Sequence, residues 1–144
     1  MKITIQSIAL FLTLLISISP VFASGTTLNS GSLDANFSSW GSPSIQGDWK
    51  IIEADGKHFI QLSDNFKAKE GPDVKIFLSP LASSDITGKN AADGSAFVKL
   101  VTNFEGHSRI EIPANIDLSL YQSLVFHCEQ YSKLWGTSSL SQTH

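Results

Sequence analysis

Trp49-Lys50-Ile51-Ile52-Glu53-Ala54-Asp55-Gly56-Lys57-His58-Phe59-Ile60-Gln61-Leu62 is the stretch that decides the fold. Two apolar-rich runs, 49–54 and 57–62, flank Asp55-Gly56, a pair favoured in two-residue hairpin turns because both central residues must take positive φ. The stretch predicts an antiparallel hairpin. Downstream, Val74–Leu78, Ala96–Val101 and Arg109–Ile112 alternate at period two, and each predicts a strand. Pro80 to Gly94 reads as a long polar connection, Glu105-Gly106 as a turn, and Pro113 to Gln122 as an irregular link or a single helical turn. Ser123–Tyr131 predicts a further strand, with Leu124, Phe126 and Cys128 on one face and Val125, His127, Glu129 and Tyr131 on the other. Cys128 is thus expected on the buried face, near its margin. Short apolar runs divided by turn residues indicate an all-β fold, a small antiparallel β-sandwich or barrel-like domain.

Upstream of the hairpin the character of the chain changes. Lys2 precedes the apolar run Ile8–Ile18, and Pro20 with Val21-Phe22-Ala23 closes it in the pattern of a signal-peptidase site. The run is shorter than the roughly 20 apolar residues a bilayer-spanning helix needs. Residues 1–23 therefore read as a cleaved signal peptide, with Ser24 as the mature amino terminus. No later stretch is apolar for long enough to span a membrane, so no membrane span is expected after cleavage and the chain is expected to be secreted or periplasmic. Residues 24–47 are rich in Ser, Gly and Asn. Of these, 24–36 read as a loose leader and 37–144 as the β domain, with Phe37 and Trp40 its first core anchors. Asn36-Phe37-Ser38 is a glycosylation sequon, meaningful only in a eukaryotic secretory setting.

The formal charge of the 144-residue chain is -3, and losing Lys2 with the signal peptide makes it -4. Nucleic-acid binding leans on a basic patch to neutralise phosphates, and the few basic residues here are scattered, which disfavours that class, and no nucleic-acid partner is expected. Exported domains of this size often carry paired cysteines. Here Cys128 is the only one, so no disulfide forms within the chain and no CxxC mechanism operates within it, which leaves an intermolecular disulfide open. A lone cysteine is either a small buried hydrophobe or a redox or metal-ligand thiol. Blue-copper ligation asks for two histidines beside a cysteine, usually with an axial methionine. His58, His107, His127 and His144 are present, but Met1 leaves with the signal peptide. His127 adjoins Cys128, yet neighbouring strand residues point to opposite faces and would share a metal only at a bulge. No CxxCH haem-attachment motif occurs, which leaves Cys128 as an axial thiolate to a non-covalent haem, with Tyr131, Trp135 and Phe126 as apolar walls. No GxSxG, HExxH or phosphate-binding glycine loop occurs either, so a turnover enzyme is not expected.

With these residues in place, the chain resembles the DM13 domain family over residues 37 to 140. The resemblance is carried by Phe37 and Trp40, Gly47-Asp48-Trp49, Leu62-Ser63-Asp64-Asn65-Phe66, and Gly71-Pro72-Asp73-Val74 leading into Ile76-Phe77-Leu78-Ser79. It ends with Tyr121-Gln122-Ser123-Leu124-Val125-Phe126-His127-Cys128, then Tyr131, Trp135-Gly136 and Leu140. It implies a β-sandwich-like fold and an electron-transfer role centred on the family's cysteine, which falls on Cys128. Relatives of this kind occur with DOMON domains and cytochrome b561-type membrane segments, which makes such proteins the implied redox partners. Asp73 and Asp64 read either as turn residues or as carboxylates lining a site.

The competing class is a non-catalytic extracellular binding module for a protein or carbohydrate, presenting aromatics such as Trp40, Trp49 and Trp135. The same three residues equally read as core. Replacement of Cys128 separates the two classes, because only the redox module needs the thiol.

Overall fold

A computed structural model describes residues 25–33 and 44–141. The signal peptide read over residues 1–23, Ser24, the Asn36 sequon, Phe37, Trp40 and His144 lie outside them. Among the described residues the strands are β1 (Thr26–Leu33), β2 (Ile45–Ala54), β3 (Lys57–Leu62), β4 (Lys67–Ala68), β5 (Val74–Ser79), β6 (Ala96–Leu100), β7 (Ser108–Glu111), β8 (Ser123–Cys128) and β9 (Lys133–Ser139). They form two antiparallel sheets, β1-β2-β3-β7 with β4 on β2, and β6-β5-β8-β9. The fold is all-β, and of the two architectures read from sequence it is the sandwich.

The Asp55-Gly56 hairpin forms as its chemistry requires: both residues take positive φ, 53° and 71°. The register then runs from Ala54 opposite Lys57 to Trp49 opposite Leu62. Trp49, Ile51, Ile60 and Leu62 face inward, and β5 and β8 supply the facing layer through Val74, Ile76, Leu78, Leu124, Phe126 and Cys128. The strands expected at 74–78, 96–101 and 109–112 are β5, β6 and β7. The link before β8 carries a single 3-10 turn, Leu118–Leu120, capped by the Asp117 carboxylate, which accepts from the Ser119 N–H.

Three expectations are corrected. Residues 26–33, read as loose leader, form β1 along the edge of β2. Ser, Gly and Asn mimic a loop in sequence, but an edge strand has one solvated face and tolerates them. β1 is held by pairing and by Asn29, whose side chain donates to the Ser141 carbonyl at 2.8 Å and accepts from its N–H at 3.0 Å. The strand read as 123–131 stops at Cys128, and Glu129–Tyr131 is a 3-10 turn. Asp73 receives the freed donors, through its carbonyl from the Glu129 N–H and its carboxylate from the Gln130 N–H. Ser132 at φ 49° then reverses the chain into β9, a strand the alternation reading did not separate. Finally, Cys128 is 0 % exposed inside the main core rather than at its margin, because β9 covers the flank of β8.

Both faces of β8 are buried. Its outer face, with Phe77 and Leu134, is covered by Leu81, Ile86, Ala91 and Ala92 of the long connection, so that segment acts as a third layer over the second sheet. On one side of the sandwich β1 approaches β9. On the other side, the edges β6 and β7 leave a cleft between them.

Candidate functional site

β8 lies centrally in its sheet, and Cys128 sits at its carboxyl end, opposite Val74 on β5 and Lys133 on β9. The thiol belongs to the main core with Phe66, Phe126, Trp49 and Trp135. Phe66 and Phe126 stack at 5.9 Å between centroids, tilted by 36°. Trp135 is anchored both through its ring and through its backbone. Its indole N–H donates to the Lys69 carbonyl at 2.8 Å, and its own carbonyl accepts from the buried Ser44 hydroxyl at 2.7 Å. Gly71 lies flat against the ring: a Cβ there would stand 2.9 Å from Cζ2 of Trp135 and 2.8 Å from Cγ2 of Val74. The Gly71-Pro72-Asp73 turn is thus a lid over Trp135, and only glycine permits the approach.

Beyond the turn lies a charged clasp. The Lys75 ammonium bridges the Asp73 carboxylate at 3.3 Å and the Glu129 carboxylate, tying β5 to the turn that follows Cys128. The hydrogen bond to Glu129 is the main cause raising the Lys75 pKa, and Asp73 adds to it against partial desolvation. Asp73 is therefore a structural carboxylate that organises the end of β8, and Asp64 is exposed in the turn between β3 and β4. A second network joins two of the motifs quoted above. Asp48 accepts from Ser32 and from Asn65, and its N–H donates to the Asn65 side chain at 3.0 Å. The Ser32 bond, then the Asn65 bond, hold the Asp48 carboxyl below its ordinary pKa.

His127 points away from Cys128, towards Phe77 at 6.3 Å between ring centroids. The irregularity beside it inserts Trp135 into β9 and leaves the pairing of β8 with β5 unbroken, so the two side chains stay on opposite faces. The ring is 3 % exposed, and its Nδ1 has no hydrogen-bond partner among the described residues. Burial, the largest cause, lowers its pKa from the ordinary 6.5, and the Lys133 backbone, Glu129 and Asp73 oppose that shift.

The residues read as a site separate as follows. Cys128 and Trp135 share one core, whereas Tyr131 stands in the 3-10 turn with 58 % of its surface exposed. Trp49 and Trp135 are both buried, which makes them packing residues rather than presented aromatics. No group of three His, Cys, Asp or Glu side chains suited to a metal occurs among the described residues. Neither principal cleft is lined by Cys128. Among the described residues the enclosed sulfur has no companion set of metal-ligating side chains beside it.

A family model described as Electron transfer DM13 matches residues 36–140. No curated protein and no solved structure matches the chain. The Asp48–Asn65 contact pins the turn that carries Phe66 to β2, while the glycine lid on Trp135 and the Asp73 brace order the chain at the end of β8. The chain belongs to the DM13 electron-transfer family.

Proposed function

We propose that this chain is an exported electron-transfer module whose redox centre is the Cys128 thiol, exchanging electrons with a separate partner protein. The observation that carries the reading is the burial of the only cysteine: 0 % exposed, within the segment matched to an electron-transfer family. Thiol–disulfide exchange requires a second sulfur to approach the first directly, and an enclosed Sγ denies that approach. Enclosure equally slows the sulfenic and sulfinic ladder that consumes exposed thiols in oxidising compartments. Loss of one electron and the thiol proton would convert Cys128 to a thiyl radical, the electron passing through packed side chains to an oxidising partner and the proton to solvent, so no second sulfur has to reach the first. Phe66, Phe126 and Trp135 share the buried core with the sulfur, and Tyr131, three residues along the chain, is exposed. A DOMON or cytochrome b561-type protein fits the partner role by its association with this family. Export is supported by Lys2, the Ile8–Ile18 run and the Val21-Phe22-Ala23 pattern.

The test titrates the purified chain with ferricyanide, a one-electron oxidant, and follows its loss of colour. Wild type should consume oxidant in proportion to its thiol, while folded Cys128→Ser and Cys128→Ala should consume none. Equal consumption by the folded variants would refute the reading.

A further inference from the structure

We propose that the cleft between β6 and β7 is a binding site for a small amphipathic anion, an apolar body carrying one carboxylate or sulfonate. This goes beyond the electron-transfer reading and uses no property of Cys128. The cleft encloses about 530 Å³, within the ~300–1,000 Å³ of small-molecule sites. Its apolar surface comes from Phe59, Leu100 and Ile110, over a floor formed by buried Leu62, Ile76 and Val101. Its cations come from the two facing edges, Lys99 on β6 and Arg109 on β7.

The state of those charges selects the ligand. The Arg109 guanidinium carbon sits 4.0 Å above the centroid of the Phe59 ring, a cation–π contact that orients the side chain and leaves its donor fork able to meet an anion. Among the described residues neither Arg109 nor Lys99 has a carboxylate within ion-pair distance. Glu111, the carboxylate that also lines the cleft, is engaged by Lys57 at 3.0 Å. Two unneutralised cations thus flank an apolar trough on a chain whose net charge is -3. An anionic head satisfies the cations, and the trough accepts an apolar body. Both walls are sheet edges, β6 pairing only with β5 and β7 only with β3, so no further strand closes the opening.

The probes are anilinonaphthalene sulfonate, read by fluorescence, and decanoate as its competitor, with the full chain purified after export. One saturable site should appear, decanoate should displace the dye, decanol should compete far less well, and amide shifts should concentrate on β6 and β7. Losing charge-assisted contacts in Lys99→Gln/Arg109→Gln should weaken binding about tenfold or more. Thr102→Trp, an exposed position on the rim, should block the site without touching the core. Cys128→Ser should bind as wild type does, so failure of the electron-transfer reading leaves this result unchanged. Four outcomes would overturn the proposal. They are no saturable binding, dye affinity unchanged in the double variant, dimerisation that depends on Lys99 and Arg109 in place of ligand binding, or an acidic peptide outcompeting decanoate along β6.

Discussion

Cys128 stands at the end of β8 with its sulfur enclosed, and its accessibility to reagents follows from that. Ellman's reagent should leave the native thiol unmodified and release one equivalent of chromophore only when denaturant opens the core. Rapid stoichiometric reaction in native buffer would contradict the enclosure. His127, one position earlier and on the opposite face, gives a pH signature. Its folded pKa is lowered, so the neutral ring contributes stability that is fully present above the unfolded value of 6.5 and is lost as pH falls through the folded value. The urea midpoint should therefore drop on acidification from about pH 7 to about pH 5, and His127→Leu should flatten that drop. A variant with the wild-type slope would remove His127 as the cause. Period-two alternation was enough to place these two side chains on opposite faces. The depth of Cys128 was not legible, because it depends on β9, whose Gly-Thr-Ser-Ser stretch carries no apolar alternation.

At the scale of elements, the hairpin was the most legible feature, since Asp55-Gly56 encodes its own turn conformation. β1 was the least legible, because it is specified by its partner rather than by its own composition. Its Asn29 contacts to Ser141 join the first sheet to the second residue past β9. Asn29→Ala should lower stability by about 1 kcal/mol, a typical net value for exposed hydrogen bonds, as read by urea denaturation. No change would mean that pairing with β2 alone holds the strand. The glycine lid has a larger effect. Gly71→Ala places a methyl group against Trp135 and Val74, where overpacking costs about 1–3 kcal/mol. It should also speed modification of Cys128 by Ellman's reagent, since Trp135 shares the core with the thiol. Unchanged stability and unchanged thiol reactivity would show that the lid is not needed to enclose the site. That Gly71 reads as a turn residue was evident from Gly-Pro-Asp alone, but its contact with Trp135, 64 positions later, was visible only in the fold.

Across the whole molecule, the matched family segment begins at residue 36, after β1, so the described fold includes an edge strand that precedes the match. The expected mature terminus, Ser24, would leave two residues before β1 begins at Thr26. Mass spectrometry of exported protein should find the chain starting at Ser24, and a mass that includes residues 1–23 would contradict cleavage there. The cleft between β6 and β7 was not legible, because Lys99 and Arg109 are separated in sequence and meet only where two sheet edges face each other. The sandwich itself was legible from its spaced apolar runs, while the closed packing around Cys128 came from contacts between distant motifs. That packing underlies the central claim, that one buried thiol carries the redox activity. Protein-film voltammetry of wild type beside Cys128→Ala, both shown to be folded by circular dichroism, tests it most directly. A faradaic wave present in wild type and absent from the variant is the expected result, and an identical wave in both would contradict it.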